Sequence, residues 1–376
     1  MDLTPYKNCL AHTHGVYISN ELKPYKPCCW FRTGIDADNL DDYRTQLSKL
    51  DIEHNCDHCI KQEQDGATWS HRMLFKDAEE FVLGVCFDNI CNLKCVTCSP
   101  THTSQLISEW SKLEAFNGKF DKKYYTTIMR QAPSKFDFVK STLTNANFKK
   151  LRLEIFGGEP LINPTVFEFI DWLVKQPFAG QTILGITTNG TVYTDKIKEY
   201  TKKFKHVGLQ LSIDGTGDAF EYLRTNADWN DTVDVANKYY AMFVPNSNFS
   251  FNINYTLSWM NSANFANFYK WVDQKFPNSH LHLTRVETPT WYSVDVLSNS
   301  QRTEIATLML DQISTKHTNP QFEKLKDLYR QSMLFDGDNE LNYDLYSKAI
   351  TLLSTLDNLR NRNFQQTFAN IIELIK

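Results

Sequence analysis

Between residues 250 and 259 apolar and polar side chains alternate without a break. Phe251, Ile253, Tyr255 and Leu257 share one parity, and Asn252, Asn254, Thr256 and Ser258 share the other. A strand turns successive side chains to opposite faces, so this stretch predicts a strand with one apolar and one polar face. Two neighbours repeat the pattern: 207–213 sets Leu209, Leu211 and Ile213 against Gln210, Ser212 and Asp214, and 281–287 sets Leu281 and Leu283 against His282 and Thr284. Apolar runs at 79–87, 151–156 and 182–188 predict three more strands. Helical periodicity covers 103–116, with Leu106, Trp110 and Leu113 on one face, then 164–176 with a proline at its start, 194–204, 229–243 and 261–275. The polar, lysine-rich stretch 117–150 predicts a loop and one helix. Helical segments close the chain near 299–315, 320–333 and 340–375.

Six strands alternating with helices predict an α/β protein, a partial (β/α)6 TIM-like barrel. A complete barrel fills its interior with branched apolar side chains. Here one face of successive strands is polar, which predicts an open, hydrated interior that holds a ligand. A sheet with one solvated face is the plainer alternative. Asp214, Glu154, Tyr255 and His282 are candidates for that interior.

Residues 1–79 break the pattern. They are short segments, turn residues and cysteines, too poor in apolar side chains for a large core, so a bound metal centre is expected to hold them. The expected organisation is a small N-terminal cysteine-rich cluster-binding module (1–79), the barrel (80–298) and C-terminal helices (299–376), which cap the barrel or form a dimer face.

Composition narrows the function. The 376 residues are 41% hydrophobic and 13% aromatic, a globular balance. Net charge is −4 and the basic residues are scattered, which argues against a grip on duplex nucleic acid. No run of about 18 apolar residues is present to span a membrane, and the N-terminus lacks the basic and apolar blocks of a signal peptide. A cytoplasmic location is expected, and there cysteines more often bind metal than form disulfides.

All nine cysteines lie within the first 98 residues: Cys9, Cys28, Cys29, Cys56, Cys59, Cys86, Cys91, Cys95 and Cys98. Cys91, Cys95 and Cys98 stand as C-x3-C-x2-C at the end of the first predicted barrel strand. Three thiolates on one loop hold three irons of a [4Fe–4S] cluster and leave the fourth open. A zinc knuckle completed from a distance is the structural alternative. The second predicted strand ends in "FGGEP" (156–160), where two glycines let the backbone approach a ligand closely. The N-terminal cysteines, a vicinal pair at 28–29 and C-x2-C at 56–59, fit a four-cysteine zinc site or a second iron–sulfur cluster; spacing does not separate these. Cys86 reads as an inert core thiol. His12 and His14, near Cys9, read as surface residues, with ligands or a proton relay as the alternative.

C-x3-C-x2-C after one strand and GGEP after the next resemble the radical S-adenosylmethionine (radical SAM) enzymes, over most of residues 80–290. The resemblance implies that the open iron chelates the amino and carboxylate groups of S-adenosylmethionine. It implies reductive cleavage to a 5′-deoxyadenosyl radical that takes hydrogen from a substrate, with electrons from a flavodoxin- or ferredoxin-type reductant. It carries over Gly157, Gly158 and Glu159 as contacts to the methionyl amino group. Asn189 in "TTNG" and Ser212 in "SIDG" fall near the nucleoside, and Arg224 near the carboxylate. Thr97 departs from the aromatic residue or methionine usual before the third cysteine. The N-terminal cysteines are similar to half of a SPASM/twitch module, placed here before the barrel as in phage and bacterial twitch-domain proteins. That implies an auxiliary [4Fe–4S] cluster on Cys9, Cys28, Cys56 and Cys59, with Cys29 as the rival to Cys28 and Glu63 or His58 as outside candidates. The implied substrate is a peptide or protein side chain; a nucleotide, nucleobase or small molecule, or a non-catalytic zinc protein, are the alternatives.

Overall fold

The alternating segments are strands in the computed structural model, which describes residues 9–21, 23–64, 70–113, 120–128, 130–313, 317, 319–334 and 340–375. Strands β1 (Gly15–Ile18), β2 (Tyr25–Lys26), β3 (Glu80–Val85), β4 (Lys150–Ile155), β5 (Thr182–Thr188), β6 (His206–Ser212), β7 (Phe249–Leu257) and β8 (His280–Arg285) make a sheet in the order β2-β1-β3-β4-β5-β6-β7-β8. The sheet is mostly parallel and does not close. The α/β class and the partial barrel hold, with eight strands instead of six. The two extra strands come from the cysteine-rich N-terminus, where four- and two-residue strands are too short to leave a periodic signal.

The chain forms two compact units. The first holds residues 1–91, 121–187 and 194–208. In it β1 pairs antiparallel with β2 and parallel with β3, β3 with β4, and β4 with β5. Leu151, Leu153 and Ile155 of β4 are fully buried on one face, and Leu184 and Ile186 of β5 likewise. Each such side chain contributes about 1.5–3 kcal/mol by leaving water. Arg152, Phe156, Ile183 and Gly185, of the other parity, are half-buried.

The second unit holds residues 92–120, 188–193 and 209–376. Here β7 pairs parallel with β8, and the alternation of β7 is realised as expected: Phe251, Ile253, Tyr255 and Leu257 are fully buried. Its polar parity forms a hydrogen-bonded ladder, with Asn254 Nδ2 donating to Thr256 Oγ1 (3.2 Å) and Thr284 Oγ1 (3.1 Å).

Several elements differ from the periodicity. The helix expected over 103–116 is confined to Leu106–Trp110; residues 114–116 lie outside the described set, as do 314–315 of the segment expected over 299–315. The stretch 117–150 holds two helices, Lys122–Ile128 and Ala132–Asn145. A helix at Gly217–Leu223 has no counterpart in the reading. The segment 340–375 is three helices: Tyr343–Arg360 ends at Asn361, whose left-handed backbone (φ 52°) stops it.

The helix Tyr343–Arg360 does more than cover the fold. Arg360 Nη2 lies 2.6 Å from Glu109 Oε2, Lys94 Nζ lies 3.1 Å from Glu109 Oε1, and Arg360 Nη1 donates to Thr225 Oγ1 at 2.9 Å. Arg360 and Glu109 are nearly buried, with side chains 6% and 13% exposed. Burial alone would raise the Glu109 carboxyl, but its Arg360 and Lys94 partners hold it below the usual carboxylate value. Removing Arg360 leaves a buried carboxylate with half its compensation. Arg360→Met is expected to cost roughly 3 kcal/mol, measured by denaturant unfolding at neutral pH. Because the folded carboxyl is depressed, the wild-type advantage is present above the unfolded value of 4.5 and shrinks as pH falls through the folded one.

Candidate active site and metal centre

The GGEP turn is built by close backbone approach. Gly157 and Gly158 both take positive φ, 79° and 55°, which side chains with a Cβ rarely adopt. A Cβ on Gly157 would meet Cys86 Sγ at 1.8 Å, and one on Gly158 would meet the Ile90 carbonyl oxygen at 2.3 Å. Glu159 N–H donates to that same carbonyl at 2.7 Å. The Glu159 carboxylate is 1% exposed and accepts from Leu161 N–H at 3.0 Å, so it caps the short helix that follows. Beside it, Asp88 accepts from Asn163 Nδ2 (2.9 Å to each oxygen) and from Ile90 N–H (2.9 Å). Residues 88–90, which lead into buried Cys91, are thereby tied to the GGEP turn.

Cys86 lies just past β3 rather than within it, fully buried, and its sulfur fills the space that Gly157 leaves. Lys135 Nζ supports the same corner, donating to Asn20 Oδ1 (2.9 Å) and to the Cys86 carbonyl (3.1 Å); burial lowers its pKa to about 8. Asp88, Asn163, Lys135 and Asn20 were missed by sequence reasoning. Lys135 sits in a lysine-rich stretch that reads as surface, and only Asn163, just before a helical proline, carried a local signal, that of a helix cap.

The remaining motif residues lie in the second unit. Cys98 N–H donates to the Cys95 carbonyl (3.2 Å), and both thiols are half-buried. The loop is pinned by Lys94 N–H to Thr225 O (2.9 Å) and Val96 N–H to Leu223 O (2.8 Å). Asn189 Nδ2 donates to Asn92 Oδ1 (2.9 Å), while Asn189 Oδ1 accepts from Thr191 N–H and Oγ1–H. Arg224 Nη2 is ion-paired to Asp214 Oδ2 at 2.7 Å, and Asp214 Oδ1 also accepts from Thr256 N–H at 2.8 Å. Ser212 ends β6, half-buried. Cys95 borders a small cavity walled by Trp110, Trp291, Leu352 and Arg360. Tyr255 is not an interior polar residue: it is fully buried and its hydroxyl donates to the Asn261 carbonyl at 2.7 Å, a core position set by its apolar parity. His282 is half-buried, and burial lowers its pKa to about 4.

In the first unit Cys9, Cys28, Cys56 and Cys59 line one cavity, together with His12, His58, His71 and Arg72. Among the described residues no group of three His, Cys, Asp or Glu side chains is drawn together as a site for a single metal ion. The lining has one guanidinium and no carboxylate, which fits a group held by anionic thiolates. Burial pushes Cys28 well up, Cys56 up to about 12, and raises Cys9 and Cys59. Cys29 is turned to His71, with Sγ 3.4 Å from Nε2. Glu63 is ion-paired to Arg72 at 2.7 Å. His58 stacks on Trp30 with centroids 3.8 Å apart.

No family profile matches the chain. Over 140 residues it is 32% identical to the radical SAM cyclopropyl synthase TigE of Paramaledivibacter caminithermalis, a match covering 37% of this chain and 28% of that protein. The chain is related to the radical SAM enzymes, as its motifs indicated. Similar solved structures include anSMEcpe with AdoMet and a peptide bound (18% identity, 61% of this chain and 58% of that one, TM-score 0.41). Another is Streptococcus suis SuiB bound to its precursor peptide SuiA (14% identity, 81% and 62%, TM-score 0.37). No helix among the described residues is long and apolar enough to cross a membrane.

Gly158→Ala combines a positive φ with a backbone clash and is expected to cost at least about 2 kcal/mol in urea unfolding, against little change for Gly180→Ala, whose Cβ would meet nothing within 4 Å.

Proposed function

We propose that this chain is a radical SAM enzyme that reductively cleaves S-adenosylmethionine and abstracts hydrogen from a peptide or protein side chain. One observation carries the reading: the segment running into Cys91 and the GGEP turn are tied together by the shared Ile90 carbonyl and by the Asp88–Asn163 pair. A turn kept only as a strand-to-helix link needs neither two positive-φ glycines nor that bond. Cys91, Cys95 and Cys98 would hold a [4Fe–4S] cluster with one open iron. Bound there, cluster and S-adenosylmethionine would supply a 5′-deoxyadenosyl radical. Gly157 and Gly158 bare the backbone beside the site, and Glu159 fixes the turn. Asn189 holds the loop through Asn92. Arg224, ion-paired to Asp214, would be the cation that meets the cofactor carboxylate.

We assign the N-terminal cavity to an auxiliary [4Fe–4S] cluster on Cys9, Cys28, Cys56 and Cys59. The four thiols line one space, and of the vicinal pair it is Cys28 that stands among the lining residues, which supports Cys28 as the ligand. Four cysteine ligands leave no open iron, so this cluster would pass electrons.

Iron and zinc per chain, counted after anaerobic reconstitution, test both assignments. About eight irons are expected, falling to about four in a Cys91→Ala/Cys95→Ala/Cys98→Ala variant. Four falling to none, with one zinc kept, would leave the enzyme and make the N-terminal site structural. Zinc alone in both proteins would overturn the reading.

A further inference from the structure

Glu154 is an acidic side chain that the cluster chemistry leaves unused. It stands on β4 in register with Gly84 of β3 on one side and Gly185 of β5 on the other. Its parity is opposite to the buried Leu153 and Ile155, so it projects from the other face of the sheet, open to solvent. The bare neighbours shape its surroundings. A Cβ on Gly185 would lie 1.8 Å from Glu154 Oε2, so the carboxylate lies across the Gly185 backbone. On the other side, the rings of Tyr17 and Phe156 close over Gly84, where a Cβ would meet them at 2.6 and 3.2 Å. Those rings stack with centroids 4.7 Å apart and 14° between planes.

The carboxylate has no hydrogen-bond or ion-pair partner among the described residues. The nearest cation on its own strand is already committed: Arg152 forks onto Glu80, with Nε 3.2 Å from Oε2 and Nη2 3.3 Å from Oε1. An accessible carboxylate beside aromatic faces is the chemistry that receives a cationic nitrogen, through a charge-assisted hydrogen bond and cation–π attraction. Two glycines in one register row make the room.

The geometry points to Glu154 as the seat of a cationic group of the substrate, an ammonium or guanidinium held between its carboxylate and the Tyr17–Phe156 ring pair. This rests on the enzyme reading above and adds to it the charge of the substrate group that enters this face. Protein walls the open carboxylate closely enough that desolvation pushes its pKa up to about 7, partly offset by Arg152. A bound cation would reverse that rise.

The test uses reconstituted full-length protein carrying 13C at the glutamate side-chain carboxyl. The Glu154 resonance is assigned by its loss in Glu154→Gln. Its titration midpoint is followed alone and with N-acetyl-lysine methylamide, butylamine, or neutral N-acetyl-glutamine methylamide. The midpoint is expected to fall by about one pH unit or more with a cation and to stay put with the neutral probe. A fall with the lysine derivative identifies a peptide side chain as the source; a fall with butylamine alone identifies a free amine. Gly185→Ala, whose Cβ displaces only the end of a flexible side chain, is expected to abolish the shift and keep the iron content. A midpoint unmoved by every cation, or moved equally by the neutral probe, overturns the assignment. Iron content judges the enzyme reading separately: eight irons without a shift sinks only this site, and a shift without iron sinks only the chemistry.

Discussion

The close approach of the Gly157–Gly158 backbone to the end of the preceding strand is the constraint on which the first unit's site depends. Gly158 sits against the Ile90 carbonyl where a methyl group would lie at 2.3 Å, and Gly157 rests on the Cys86 sulfur. That contact lets Glu159 N–H reach the same carbonyl and fixes the segment entering Cys91. The need for positive φ then selects glycine twice in a row. Around this contact the chain places buried polar groups in pairs: Asp88 with Asn163, and Lys135 with Asn20. Each pair satisfies groups that would otherwise destabilise a dry corner.

The second unit handles the rest of the triplet loop differently. Backbone bonds to Leu223 and Thr225 and the Asn92–Asn189–Thr191 network hold the loop. The ion triad Lys94–Glu109–Arg360 ties it to a helix some 250 residues further along. The C-terminal helices are therefore part of the loop's support, which neither a cap nor a dimer face requires.

In each unit one strand parity makes a conventional apolar core. In the second unit the other parity carries a hydrogen-bonded ladder on β7 and β8, where Asn254 is occupied by Thr284. In the first unit it carries, on β3 to β5, a carboxylate set between glycines, with no hydrogen-bond partner among the described residues.

Much of this was legible in the chain. Alternation over 250–259 determined β7 and its buried parity, because a period of two is a local property of a strand. The cysteine spacing and the GGEP after the next strand determined the chemistry to expect, because each motif is contiguous in sequence. Tertiary structure decided the rest. The strands at 15–18 and 25–26 exist only because a sheet edge is present to pair with them. Lys135 is buried because Asn20 and the Cys86 carbonyl, far away in sequence, accept its hydrogen bonds. Cys28 stands with Cys9, Cys56 and Cys59 around one cavity, a grouping that only the folded loop makes. Spacing along a chain records local periodicity; it carries no record of which distant backbone will come close enough to demand a glycine, an amide or a charge.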